Sequence, residues 1–474
     1  MNDLWRQSLP VRADVTWAIG LVLAVVVTVH VLLRKREVAS AAGWIGLVWF
    51  APIMGAIGYF MLGVNRVKRR ARRLRPQDDG SGGSAEPASP GPQDHLEPLD
   101  RSVHRITGRQ LMAATAIRAY HNGDAAYPQM LAAIAAAEHS VGMSSYIFRD
   151  DVWGERFIDA LADARRRGVA VRVLIDGIGG GWLRSRAYHR LRWDGVAAAR
   201  FMHSLLPWRM PFINLRSHKK ILVIDGSVGF TGGMNIADEN VMATHPEVPV
   251  LDMHFRIEGP VVAQLAEAFL EDWAFAADEE LDSDGWLHSG PHDDGAPARV
   301  IDSGPDEDIE KIEFAVLQAI SCAKTSVAVM TPYFLPDARL VTALALAPMR
   351  GVAVDIVVPE QSNHRLVDWA TRANVKPLLS HGVRIWQCPP PFHHSKIMVV
   401  DGKWCLIGSS NWDIRSFRLN FELCMEIYDR ELAATLSAVM QDSRGREFRQ
   451  ADLDRRPLAI RLRDAGARLM LPYL

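Results

Sequence analysis

The stretch SHKKILVIDGSVGFTGGMN, residues 217–235, returns later as HHSKIMVVDGKWCLIGSSN, residues 393–411, with the same internal spacing. The shared skeleton is His, any residue, Lys, four residues, Asp, and a Gly-rich turn ending in Asn. These are His218, Lys220, Asp225, Gly232 and Asn235 in the first copy, and His394, Lys396, Asp401, Gly408 and Asn411 in the second. A chain built this way folds as a duplicate.

The repeat extends beyond the motif. MLAAIAAAEHSVGMSSYIFRDD from Met130 parallels VLQAISCAKTSVAVMTPYFLPD from Val316, each an Ala-rich helix, a strand, an aromatic pair and an Asp. RRGVAVRVLID and MRGVAVDIVVP follow, each a Gly turn into a β-branched strand. Strands alternating with helices in both halves predict an α/β fold with one sheet per half. The first domain is expected over 100–280 and the second over 309–474, with the acidic, Gly-rich stretch 281–308 as the loop between them.

Side chains alternate between the faces of a strand, so His and Lys at i and i+2 share a face. The following glycines permit close backbone approach, and Asn235 or Asn411 adds an amide donor. His, Lys and Asn on one surface suit a phosphoryl group. Phosphodiester chemistry through a covalent intermediate needs two histidines, one to attack phosphorus and one to protonate the leaving oxygen. Each half has one motif His, and duplication supplies both if the halves face each other across a cleft. One His-x-Lys alone carries little meaning, whereas two with matched Asp and Gly-x-x-Asn spacing are specific.

This pattern resembles the phospholipase D superfamily across both halves. The resemblance implies a phosphohistidine on one motif His and a general acid on the other, without a metal or other cofactor. His218 is expected to be the nucleophile and His394 the acid, an assignment that rests on the resemblance because the spacing is symmetric. Lys220, Lys396, Asn235 and Asn411 are expected to hold the phosphate oxygens. Asp225 and Asp401, the third members of the motifs, end their strands and are expected to orient the fold locally. Ser409 stands where the first copy has Gly233, so a hydroxyl contact to substrate is expected in one half alone.

With an ordinary pKa of ~6.5, each imidazole needs a modest shift to serve as base or acid near neutrality. A carboxylate behind each ring would fix its tautomer. Asp252 in LDMHFRIEG and Glu422 in LNFELCMEI stand at comparable positions after the Asn, and the resemblance favours that role for them. His393 and His254 are read as bystanders.

The N-terminus adds a membrane segment. Residues 15–33 form an uncharged run of about the length that spans a bilayer, and residues 41–62 form a second, with Pro52 inside it. Nine Lys and Arg flank the outer ends of this pair (Arg6, Arg12 and seven between 66 and 75) against three in the loop between them. The positive-inside rule then predicts a multi-pass protein of the plasma membrane, with both termini and the catalytic halves in the cytosol. Residues 1–75 are expected to form a two-helix transmembrane hairpin with a basic juxtamembrane end, and 76–99, rich in Pro, Gly and Ser, a flexible tether.

Composition excludes little. Lys and Arg number 54 against 55 Asp and Glu, so no global charge points to nucleic acid. The densest basic run lies beside the membrane stretches, and apolar LLPWRMPF and WQCPPPF precede the motifs, which argues against a nuclease groove. Cys322, Cys388, Cys405 and Cys424 show no metal-site spacing and read as core residues, with a disulfide among them as the alternative.

The segment from Arg36 to Arg66, together with YIFRDD, NLRSHKKILVIDG, GGMNIADEN, TPYFLPD and SSNWDIRSFRLNFE, closely resembles bacterial cardiolipin synthases. That resemblance implies transfer of a phosphatidyl group from one phosphatidylglycerol to another, giving cardiolipin and glycerol. A hydrolase or transphosphatidylase of another phospholipid is the alternative reading, and a phosphodiesterase or nuclease a more distant one. Phosphatidylethanolamine as a second substrate stays open, as does the oligomeric state.

Overall fold

The structure, a computed structural model, describes residues 2–34, 38–63, 91–182, 184–203, 215–282, 285–287, 294–305 and 309–469. The basic stretch 66–75, most of the expected tether (76–90) and the apolar residues 204–214 lie outside the described residues, as do parts of the expected inter-domain loop.

At the N-terminus, helix Asn2–Arg34 contains Val15–Arg34, the one described helix long and apolar enough to cross a membrane. The second apolar run is not a continuous helix. It divides into Val38–Phe50, Pro52–Gly58 and a π-helical turn Tyr59–Gly63. The break falls at Ala51, whose backbone is non-helical (φ −137°, ψ 78°) before Pro52, whose ring and missing N–H interrupt a helix. These pieces pack on the first helix through Ala24, Val27, Val31, Trp44 and Val48. Trp49 Nε1 donates to Thr28 Oγ1 at 3.0 Å, and His30 Nδ1 lies 2.7 Å from the Tyr59 hydroxyl.

The rest of the chain forms two sheets of the same design. In the first, the order is Ala116–His121, Met253–Glu258, Val228–Gly232, Ile221–Ile224, Ser140–Ser145, Ala170–Asp176, Ala197–Phe201. In the second, Ala296–Ser303, Asn420–Tyr428, Trp404–Gly408, Ile397–Val400, Ser326–Met330, Ala353–Pro359 and Arg384–Cys388 repeat that order. The last three strands of each series run parallel, as helical crossovers require.

Both motif strands are buried on two faces, which explains their unbroken apolar runs. Leu222 and Ile224 join the core under the helices of the first half, and Met398 and Val400 do the same in the second. Ile221, Val223, Ile397 and Val399 share one further cluster that draws on both halves, filled by Phe269 of helix Val262–Ala277 and Leu436 of helix Arg430–Asp442. The α/β fold with two related domains is thus present, joined by a common core.

The sequence order of the halves is not kept at one edge. Helix Glu97–Thr107 packs Leu99 and Val103 into the second half's core, and strand Met112–Ala114 pairs with Ala296–Ser303. Residues expected at the end of the tether and the start of the first domain therefore complete the second sheet. Ion pairs fix this edge: buried Arg299 reaches Asp100 at 2.9 Å, and Arg109 reaches Asp302 at 2.9 Å. The four cysteines are free.

Candidate active site

Each motif histidine is delivered by a two-residue strand that pairs with the other half. Arg216–Ser217 runs parallel to Asn420–Phe421, and the His218 backbone N–H donates to the Phe421 carbonyl at 2.8 Å. Phe392–His393 runs parallel to Val250–Leu251, and the His394 N–H donates to the Leu251 carbonyl at 2.7 Å. The residue after each acceptor is a carboxylate. His218 Nδ1 consequently lies 3.0 Å from Glu422 Oε2, and His394 Nδ1 lies 2.8 Å from Asp252 Oδ2. The two expected carboxylates stand behind the two rings, each crossing from the opposite half.

With Nδ1 held by a carboxylate, Nε2 of each ring is the atom available for chemistry. His218 Nδ1 is also 3.0 Å from the Ser409 carbonyl. The lysines fold back on their own motifs: Lys220 Nζ donates to the His218 carbonyl at 2.8 Å, and Lys396 Nζ donates to the His394 carbonyl and lies 2.9 Å from its Nδ1. The Asn235 carboxamide oxygen accepts from the Ile147 N–H at 3.3 Å. Among the described residues, Asn411 Oδ1 is buried without a hydrogen-bond partner.

Burial dominates the electrostatics. It pushes His394 down to about 3, aided by Lys396 and opposed by Asp252, and it lowers His218 against the pull of Glu422. The lysines, equally buried, drop to about 7 for Lys220 and about 8 for Lys396, although Glu422 and Asp252 oppose the shift. Burial alone would raise the two carboxylates. Lys396 and His394 nevertheless hold Asp252 well below the usual carboxylate range, and His218 and Lys220 lower Glu422. Burial thus disfavours the protonated form of both imidazoles, where the sequence suggested that a modest shift would leave one protonated.

Ser409 is placed differently from expectation. Its hydroxyl donates to Glu422 Oε2 at 2.6 Å and is fully buried, so it supports the carboxylate and is not open to substrate. The first half has no such hydroxyl, for a steric reason: a Cβ at Gly233 would sit 2.6 Å from both oxygens of Asp252. The longer Glu422 is buttressed by a serine, and the shorter Asp252 occupies that space itself.

Asp225 and Asp401 lie at the far end of their strands. Both adopt left-handed φ, 51° and 53°, in Asp-Gly hairpin turns. Asp225 accepts the N–H groups of Glu138, His139 and Ser140, and Asp401 those of Lys324, Thr325 and Ser326. They hold the start of the neighbouring strand, as expected of residues that orient the fold. The motif glycines are demanded by geometry: Gly232 and Gly408 have φ of 154° and 150°, and a Cβ at Gly408 would meet the Leu423 carbonyl oxygen at 2.4 Å.

Some residues at the site escaped the sequence reading. Tyr146 sits edge-on to His218 with ring centroids 4.9 Å apart, and Tyr333 lies 6.4 Å from His394. Their matched positions in YIFRDD and TPYFLPD were the available signal. Arg216 hydrogen-bonds Tyr146, and Arg415 adds a second positive charge beside it. The matched positions of the other half carry Phe392 and Glu239, so this surplus of cations belongs to the His218 side alone. Asp413 caps helix Ile414–Arg418, and burial raises it to about 6. Buried His254 and half-buried His393 are both pushed down to about 4 by desolvation. Among the described residues no cluster of His, Cys, Asp or Glu could hold a metal ion.

A family profile described as "Cardiolipin synthase, PLD-like domain" matches residues 130–273 and 316–443, and one described as "Phospholipase_D-nuclease N-terminal" matches 22–63. A cardiolipin synthase of Geobacillus kaustophilus is 31% identical over 100% of this chain and 96% of its own length. The major cardiolipin synthase of Bacillus subtilis is 30% identical over 96% of this chain and 98% of its own. Cardiolipin synthase A of Pseudomonas aeruginosa is 31% identical over 96% of this chain and 94% of its own. Among solved structures, phosphatidylserine synthase of Haemophilus influenzae shares the fold, with a TM-score of 0.61 at 14% identity over 79% of this chain and 99% of that one. Two matched domains around one crossed His–carboxylate site, with relatives similar along the whole chain, place this protein in the family of cardiolipin synthases built on paired phospholipase D-like domains.

Proposed function

We propose that the protein is a cardiolipin synthase that joins two phosphatidylglycerol molecules and releases glycerol. His218 Nε2 attacks the phosphodiester phosphorus of the first lipid, and the bond to the glycerol oxygen breaks as His394 Nε2 gives that oxygen a proton. A hydroxyl of the second lipid then loses its proton to His394 and attacks the phosphohistidine. Cardiolipin forms and His218 is free again. The observation that carries this reading is the pair of histidines, each held at Nδ1 by a buried carboxylate of the opposite half.

The remaining roles follow from placement. Lys220 and Lys396, with Asn235 and Asn411, hold the non-bridging oxygens and stabilise the charge that builds on them. Burial holds His394 towards its neutral form, so it takes up its proton as the anionic phosphodiester enters and offsets the cost of burying a cation. Arg216 and Arg415 add positive charge on the His218 side, which supports that residue as the seat of the phosphatidyl group. Asp252 and Glu422 position the rings and stabilise the imidazolium forms.

In the proposed arrangement the two domains face each other across the site, the first built from about 116–277 and the second from about 296–469 with 97–114 added at its edge. Spans over about 15–33 and 41–62 cross the plasma membrane as a hairpin, and the catalytic domains lie in the cytosol. The test is lipid analysis of purified enzyme in bilayers of phosphatidylglycerol, with labelled phosphatidylethanolamine offered alongside. Cardiolipin and free glycerol are the expected products, without added metal or CDP-lipid. Phosphatidic acid as the sole product would make the enzyme a hydrolase, and DNA cleavage without lipid turnover would overturn the reading.

A further inference from the structure

Helix Leu458–Arg468 has its apolar face on the wrong side for a surface helix in water. Its inward positions are Asp464 and Ala467, 3% and 5% exposed, while Leu458 and Leu462 are 68% and 63% exposed and Leu469, just past its end, is 77% exposed. Positions 458, 462, 465 and 469 form one stripe at helical spacing, and Ala465 is exposed as well. Arg456, just before the helix, and Arg463 satisfy Asp464 at 2.9 and 2.7 Å, and the Arg463 guanidinium ties the helix to its neighbour by lying 4.3 Å from the centre of the Trp369 ring. Exposing three leucines while burying an aspartate is unfavourable in water, so a contiguous patch of this kind marks a contact surface.

Charge identifies what the surface meets. Arg455, Arg461 and Arg468 are exposed around the stripe, and the helix's one acid, Asp464, is buried. A leucine stripe edged by arginines is the composition of helices that lie in an anionic lipid interface. Its position in the fold agrees. Ala467 belongs to a small buried cluster with Leu335, Val367 and Ala370, against which Tyr333 packs, and Tyr333 is the ring beside His394.

We propose that the outward face of helix Leu458–Arg468 rests on the anionic surface of the bilayer and brings membrane lipid to the His394 side of the site. The inference rests on the lipid substrate proposed above. It is tested on the full chain in vesicles, with a polarity-sensitive fluorophore on Leu462→Cys in a Cys322→Ala background. Lipid-borne nitroxides quench this label, more strongly in phosphatidylglycerol than in phosphatidylcholine vesicles, and the difference is lost when Arg461 and Arg468 are both changed to Gln. A label that no lipid quenches, or one quenched by a second labelled copy alone, overturns the proposal. In parallel, Leu458→Glu with Leu462→Glu lowers turnover of vesicle phosphatidylglycerol by about tenfold or more, the loss expected for removing two buried leucines from an apolar phase. Turnover of short-chain phosphatidylglycerol dispersed as monomers stays unchanged, and an equal loss on both substrates overturns the proposal. Wild type that converts neither substrate defeats the functional reading, whereas the quenching result still decides the membrane contact.

Discussion

His394 Nδ1 lies 2.8 Å from Asp252 Oδ2 across the boundary between the two halves, and His218 mirrors it with Glu422 at 3.0 Å. Each motif imidazole takes its carboxylate partner from the other half. Duplication thus supplies more than a second histidine: each copy holds the motif histidine of the other. The coupling is enforced by the backbone, because the parallel pairing of Phe392–His393 with Val250–Leu251 fixes the register of His394 on Asp252.

Asp252→Asn and Glu422→Gln are therefore expected to lower kcat by roughly 10³- to 10⁴-fold with little change in KM, the loss seen when an imidazole loses its orienting carboxylate. Circular dichroism and melting should remain near wild type. A variant with unchanged kcat would remove the carboxylate from the mechanism.

His218→Ala and His394→Ala should each abolish turnover but differ in what they trap. With labelled phosphatidylglycerol, His394→Ala retains the nucleophile and should accumulate or slowly form an adduct at His218, whereas His218→Ala should form none. An adduct mapped to His394 would reverse the two roles.

The pH profile should fall on its alkaline side. Burial lowers Lys220 to about 7 and Lys396 to about 8, so raising the pH through that window removes the charges that hold phosphate. Lys396→Arg, which stays charged to pH ~12 or above, should move the descending limb upward even if it lowers the maximum. A kcat/KM that stays level from pH 6 to 10 in wild type would contradict this.

Much of this was legible in the sequence, for identifiable reasons. The motif strands announced themselves because strands covered on both faces read as unbroken apolar runs, and the Asp-Gly turns have a residue signature of their own. The carboxylates Asp252 and Glu422 could be found by their equivalent positions. Which half each one serves could not, since strand pairing between Arg216–Ser217 and Asn420–Phe421 leaves no mark in composition. Ser409 looked like a substrate contact because the sequence does not reveal that Glu422 lies 2.6 Å from its hydroxyl. The second apolar run read as one span, while Pro52 divides it into shorter pieces. Residues 97–107 were divided between the tether and the first half, because helix Glu97–Thr107 packs beside helix Lys311–Cys322 about 200 residues away in sequence, and local periodicity does not report such partners.

Asp401 should matter for stability and not for chemistry. Backbone N–H groups of Ser326, Lys324 and Thr325 hold its carboxylate at about 2 against the opposing effect of burial. A carboxylate depressed in the folded state adds stability above its unfolded pKa of ~3.9, and that contribution fades as the pH falls towards 2. Asp401→Ala strands those donors and should cost about 1–3 kcal/mol, read as a lower melting temperature at pH 7 that converges on wild type in acid. Loss of activity with an unchanged melting temperature would place Asp401 in the reaction instead.

The Gly233 and Ser409 pair gives the sharpest test of the asymmetry. A Cβ at Gly233 would lie 2.6 Å from both oxygens of Asp252, with no flexible neighbour to give way except that carboxylate. Gly233→Ser should therefore push Asp252 off His394 and reduce kcat towards the level of Asp252→Asn, while combining the two substitutions adds little further loss. Ser409→Gly removes a single 2.6 Å hydrogen bond from Glu422, which keeps its contacts with His218 and Asn420. One hydrogen bond to a charged group corresponds to about 1.5–3 kcal/mol, so that variant should lose roughly tenfold to a hundredfold in kcat. If Gly233→Ser proves as active as wild type, Asp252 does not need its present position, and the crossed His–carboxylate site loses its mechanistic meaning on that side.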